Sequence, residues 1–161
     1  MTRSGLMLLA GLGSAAMLLA AFGFQYLGGL LPCAMCLWQR WPHAAAVALA
    51  VVGVALPRAW VAGLGALSML TNTGLGLYHT GVERDWWEGP SSCTSGSGPD
   101  LGSLSGSDLL AVDTGPGIVM CDEVAWEMLG LSMASYNALA SLLFAVIWIA
   151  ALRGQPGLSF R

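Results

Sequence analysis

Apolar residues fill this chain in four long blocks separated by isolated charges. No charged side chain occurs between Ser4 and Gln39, and the same holds for Trp41–Pro57, Ala59–Val82 and Met128–Leu152. A helix needs about 20 predominantly apolar residues to cross a hydrocarbon core, with about 17 as a lower limit. The pattern predicts helices over about Gly5–Tyr26, Trp41–Leu56, Ala59–Tyr78 and Tyr136–Leu152. The expected fold is therefore an all-α membrane protein, a bundle of four transmembrane helices in a single integral membrane domain. The second and fourth blocks are short, so they lean on the other two. Two loops remain, a short one over residues 27–40 and a long one over residues 79–135.

Composition supports the same class. Of 161 residues, 56% are hydrophobic and 9% charged, against about 25% charged in an ordinary soluble domain. A surface so poor in charge cannot face water everywhere. The sign of the charges then orients the bundle. Arg3, Arg58, Arg153 and Arg161 flank the ends that an even-numbered topology places in the cytoplasm, as the positive-inside rule expects. All nine acidic residues lie between Glu83 and Glu127, in the long loop. Both termini are expected in the cytoplasm and both loops on the outer side of the membrane. A cleavable signal peptide is the competing reading of the first block, with Arg3 ahead of it and Ala20-Ala21-Phe22-Gly23 as a processing site. The run is long for that role.

Trp38, Trp41, Trp60, Trp86, Trp87 and Trp126 fall near predicted span ends, where interfacial tryptophans are enriched. Within the long loop, Ser91–Gly117 is rich in Ser, Gly, Asp and Pro. Leu101, Leu104, Leu109 and Leu110 there could form a short piece lying on the membrane surface, interrupted by Gly102 and Gly106. No basic patch for nucleic acid, phosphate-cradling glycine loop or Ser-His-Asp set is present in the sequence.

The chemistry of the chain lies in its four cysteines, all in the predicted outer loops: Cys33 and Cys36 in the first, Cys93 and Cys121 in the second. An even count in an oxidising compartment reads as two disulfides. Two inert structural bridges are the plain interpretation. A bridge across Cys33-Ala34-Met35-Cys36 closes so small a loop that it is a poor staple, whereas Cys-x-x-Cys spacing suits a redox centre with a depressed thiol pKa. If Cys36 begins the second helix, the helix dipole and Arg40, one turn further on, both favour its thiolate. Four cysteines with His43 and His79 are an alternative ligand set for zinc or copper. The absence of a second Cys-x-x-Cys weighs against it. Cys36 is followed by Leu37, not the histidine of a c-type haem site.

Cys33-Ala34-Met35-Cys36-Leu37-Trp38-Gln39-Arg40 resembles the C-x-x-C-x-x-Q-R signature of the DsbB disulfide-bond formation proteins. Cys121-Asp122-Glu123-Val124-Ala125-Trp126, followed by Leu129-Gly130-Leu131-Ser132-Met133, is similar too. So are Cys93 after Trp86-Trp87-Glu88-Gly89-Pro90 and the Tyr78-His79 pair, so that the likeness covers nearly the whole chain. The Gly/Ser-rich loop between Cys93 and Cys121 departs from the family pattern. The resemblance implies a quinone-dependent thiol oxidase of a bacterial inner membrane, its cysteines on the periplasmic side, that reoxidises a DsbA-like periplasmic thioredoxin-fold protein and passes electrons to ubiquinone or menaquinone. It further implies disulfides Cys33–Cys36 and Cys93–Cys121. Cys93 would meet the partner, Cys121 would resolve that bond and attack Cys33, and Cys36 would face the quinone. Arg40, Gln39 and His79 would be the cofactor-binding positions, with no metal. An oxidase dedicated to one specialised partner and a membrane metal-binding protein are the alternative functions.

Overall fold

The computed structural model describes residues 1–90 and 119–154. Four helices carry the fold: α1 (Arg3–Tyr26), α2 (Ala34–Ala55), α3 (Ala59–Glu83) and α4 (Met133–Arg153). α1 packs on α2, α2 on α3, α3 most extensively on α4, and α4 closes the ring on α1. Cys93 and the predicted surface piece around Leu101–Leu110 lie outside the described residues.

Three helix starts are capped by side chains. Thr2 Oγ1 accepts from the Gly5 N–H, Cys33 Sγ from Cys36, and Ser132 Oγ from Ser135. These caps begin α2 and α4 ahead of the apolar runs that predicted them. The stretch from Ala34 to Arg40, expected within a loop, is therefore helical. At the other end, α3 continues past Tyr78 to Glu83. An apolar run marks where a helix meets lipid. Its hydrogen-bonded extent is set by caps.

Small residues make up most of the interior, around the large buried side chains of Met7, Met69 and Trp148. Ala10, Gly11, Ser14, Ala46, Ala50, Ala62, Gly65, Ala66, Ala138 and Ala145 are buried. Leu8, Leu9, Leu12, Leu19, Leu64, Leu67, Leu70, Leu139, Leu142 and Leu143 point outward. Helices in lipid associate through small residues and interhelical hydrogen bonds, since large apolar side chains gain nothing by leaving hydrocarbon. Asn72 Nδ2 donating to Ser141 Oγ at 2.9 Å and the Thr80–Ser135 hydroxyl pair at 3.1 Å join α3 to α4 in this way. By length and composition α1 and α4 can each cross a membrane. Trp38, Trp41, Trp60, Trp86 and Trp87 are all exposed.

The expectation of helices alone missed one element. Residues Glu127–Met128 (β1) and Leu131–Ser132 (β2) pair antiparallel just before α4. Leu129 and Gly130 turn between them with φ of 54° and 76°, the left-handed pair that a two-residue type I′ hairpin requires. Gly130 is the only sequence signal for it, and Leu129 occupies a conformation that costs a non-glycine residue roughly 1–2 kcal/mol. Arg84 Nη2 donates to Gly130 O at 2.8 Å and the Tyr136 hydroxyl to Met128 O at 3.0 Å, which hold the hairpin over the ends of α3 and α4.

Candidate redox site

Cys33 is the N-cap of α2 and Cys36 lies in its first turn. The Cys33 thiol donates to Cys36 Sγ at 2.9 Å, while the Cys36 N–H donates back to Cys33 Sγ at 3.2 Å. The two are thiols in this structure. Their acidities separate. The bond donated to Cys36, together with burial and the charge of Cys36, pushes the Cys33 thiol far up. The same bond, received, holds Cys36 below its ordinary value against burial.

This differs from the expected cause. The helix start was to favour a Cys36 thiolate with Arg40 beside it, but Arg40 contributes least among the influences on Cys36. Its guanidinium instead turns to α1, donating to Gln25 Oε1 at 2.6 Å and lying 4.9 Å from the Phe22 ring centroid. Phe22 and Gln25 are thus partners that helix spacing within α2 could not reveal.

Behind Cys33 stands His79, 2% exposed, with Nε2 at 3.5 Å from Cys33 Sγ and 3.9 Å from Glu83 Oε1. The Glu83 side chain is 6% exposed and hydrogen-bonded to Ser132, the cap of α4. Burial raises its carboxyl above the ordinary range. His79 also makes a hydrogen bond to the Cys121 backbone. Cys121 is fully buried, and its sulfur, the Cys33 sulfur and an imidazole nitrogen of His79 all lie within 4.8 Å of one another. The Cys121 sulfur is already in a disulfide. It offers no thiolate to a metal, and the trio instead sets a disulfide sulfur beside a thiol.

A cavity of about 270 Å³ opens on the other side of Cys36. Its walls are apolar side chains of α1 with Leu31, Trp126 and Met133, and its polar edge is Cys36, Gln39, Arg40, His43, His79 and Asn137. Trp126 packs between Phe24, at 5.5 Å, and Tyr136, at 6.0 Å between ring centroids. Gln39 Nε2 donates to His79 Nδ1 at 2.8 Å, Asn137 Nδ2 to Gln39 Oε1 at 2.6 Å, and His43 Nε2 to Asn137 Oδ1 at 2.8 Å. Of the residues expected at the site, Cys33, Cys36, Cys121, Gln39, Arg40 and His79 come together. Asn137, Glu83 and Ser132 went unforeseen. Asn137 did carry a signal, as an amide inside an apolar block.

A helical bundle with two membrane-capable helices, holding a close thiol pair beside a disulfide sulfur, is a membrane thiol–disulfide redox protein. The family model for disulfide bond formation protein DsbB matches residues 3–151, and the chain belongs to that family. It is 27% identical to disulfide bond formation protein B of Shewanella frigidimarina, over 90% of this chain and 85% of that one. Disulfide bond formation protein B 2 of Pseudomonas aeruginosa is 33% identical over 79% of this chain and 76% of its own. The Aromatoleum aromaticum protein B is 34% identical over 84% and 87%. No solved structure matches the chain.

Proposed function

We propose that the protein is a quinone-dependent oxidase of a DsbA-like periplasmic thioredoxin-fold protein, with the apolar stretches of α1–α4 spanning the inner membrane, the helix ends that carry Cys36 and Glu83 outside the spans, and both termini in the cytoplasm. The observation that carries this reading is the packing of the Cys121 disulfide sulfur, the Cys33 thiol and His79 within 4.8 Å. Electrons can pass between two cysteine pairs only by direct attack of one sulfur on another.

In this reading Cys93 is the disulfide partner of Cys121 and takes the partner protein's thiolate. The partner's second thiolate then closes its own disulfide, leaving Cys93 and Cys121 reduced. The Cys121 thiolate attacks Cys33 of an oxidised Cys33–Cys36 pair and expels Cys36 as thiolate. Cys93 displaces Cys33 from Cys121, which restores the outer disulfide and leaves Cys33 and Cys36 as the dithiol. Cys36 leaves from the first turn of α2, where the positive end of the helix favours the thiolate that is expelled.

The cavity fits a quinone headgroup: small, apolar-walled, and polar only along the edge that carries Cys36 and Arg40. Gln39, Arg40 and His79 are the residues that would hold it. A membrane quinone, when bound, accepts the two electrons and two protons of the Cys33/Cys36 dithiol. The test is loss of quinone absorbance in detergent solution with a reduced thioredoxin-fold dithiol as donor. Turnover should vanish in Cys36→Ser and in Cys93→Ser; normal turnover in Cys36→Ser removes the assignment. The alternative of a metal-binding protein expects stoichiometric metal after purification.

A further inference from the structure

The hydrogen bonds along the polar edge of the cavity have a direction, and one backbone carbonyl sets it. Met35 O can only accept, so the Gln39 amide atom 3.2 Å away is the nitrogen. Gln39 Oε1 therefore faces Asn137 and requires its NH₂ group. Asn137 then presents Oδ1 to His43, which must carry its proton on Nε2. On the other side, Gln39 Nε2 donates to His79 Nδ1, so a neutral His79 keeps its proton on Nε2, toward Cys33. Every donor from His43 to Cys33 points the same way.

At the far end this leaves a neutral His43 with a bare lone pair on Nδ1. The atom has no hydrogen-bond partner and almost no exposed surface; the ring lines the cavity and is 2% exposed, so a small turn of the ring is what brings Nδ1 to a ligand's donor. Buried acceptors in native structures are nearly always satisfied, and this one asks for an O–H or N–H donor. A quinone ring offers only carbonyl acceptors. Its reduced form offers hydroxyl donors.

We infer that His43 Nδ1 accepts the hydroxyl of a bound hydroquinone, so that the cavity holds the reduced form of its ligand more tightly than the oxidised form. The inference rests on the quinone reading above and adds to it a residue that sets redox-state preference. Arg40 presents donors only and can serve a ring oxygen in either state. His43 discriminates between the states, because its free nitrogen meets a donor in one and an acceptor in the other. Tighter binding of the reduced form makes the bound quinone a stronger oxidant, by about 30 mV for each tenfold preference in a two-electron couple.

The test uses full-length protein in detergent with its cysteines oxidised, so that neither ligand form is turned over. Affinities for a short-chain ubiquinone and for its hydroquinone, kept anaerobic, are read separately from quenching of tryptophan fluorescence. His43→Gln places an amide where Nε2 stands and keeps the bond to Asn137, but removes the acceptor at the Nδ1 position. His43→Asn places an amide at the Nδ1 position instead. The hydroquinone-over-quinone affinity ratio should fall about tenfold in His43→Gln, the worth of one hydrogen bond. It should stay within about threefold of wild type in His43→Asn, since the Asn carbonyl oxygen can accept the hydroxyl at that position. An unchanged ratio in His43→Gln, or an equal fall in both variants, overturns the inference. Failure of the wild type to bind either form overturns the quinone reading itself.

Discussion

Cys33 and Cys36 are the same chemical group three residues apart, and the direction of one hydrogen bond makes them unequal. The thiol at the cap gives its proton to the bond and keeps it; the thiol in the first turn receives and loses its own more easily. Cys33→Ala removes that donor, so the midpoint of Cys36 alkylation against pH should move upward in the reduced protein. The sign follows from the lowered pKa: the thiolate is present above it and lost as pH falls through it, so wild type stays reactive at lower pH than the variant. Cys33→Ser, which keeps an O–H donor, should recover part of the difference. The motif Cys-x-x-Cys-x-x-Gln-Arg was legible from sequence, because spacing alone puts Cys36, Gln39 and Arg40 on one face of a helix. The direction of the proton between the thiols was not, since it depends on Cys33 being the cap. Nor was the pairing of Gln39 with Asn137, which lies 98 residues along the chain.

At the scale of elements, α3 shows how little room the helices leave one another. A Cβ on Gly76 would meet the Ala138 Cα and backbone nitrogen at 3.0 Å, whereas one on Gly74 would meet nothing within 4 Å. Gly76→Ala should push α3 off α4 and lower stability by roughly 1–3 kcal/mol, the usual cost of overpacking. Gly74→Ala should be neutral or stabilising by up to about 1 kcal/mol, through helix propensity alone. Thermal unfolding of the two variants in the same detergent separates them, and equal effects would mean that the α3–α4 contact does not decide the position. The existence of all four helices was readable from charge-free blocks. Their ends were not, because capping by Cys33 and Ser132 is a local hydrogen-bond event that hydropathy does not register. The hairpin at Leu129-Gly130 escaped for a related reason: a single glycine is a weak turn signal when the other turn residue is leucine.

For the molecule as a whole, the end opposite the cysteines is tied by one side chain. Arg3 donates to Ala151 O at 3.0 Å, Pro57 O at 3.1 Å and Leu152 O at 3.3 Å, joining the start of α1 to the end of α4 and to the α2–α3 turn. As a charge flanking the first apolar block, Arg3 is expected at the cytoplasmic end; in the fold it is also a clasp. Arg3→Ala should lower stability by roughly 1–3 kcal/mol in unfolding experiments, because three carbonyls lose a charged donor. Arg3→Lys should restore only part, since an ammonium cannot reproduce the guanidinium fork. No effect of Arg3→Ala would show that water serves those carbonyls equally well.

The arrangement of small residues inside and leucines outside has a consequence for any attempt to make the protein soluble. Exchanging the outer leucines for glutamines would leave the core around Met7, Met69 and Trp148 in place, but most of the other buried residues are alanine, glycine, serine or threonine. Burial stabilises by about 25 cal/mol per Å² of apolar surface removed from water, and each alanine or glycine removes little of it. On the reading that all four helices cross the membrane, the bilayer supplies part of what holds this fold, by confining helices whose interfaces are built largely of small residues.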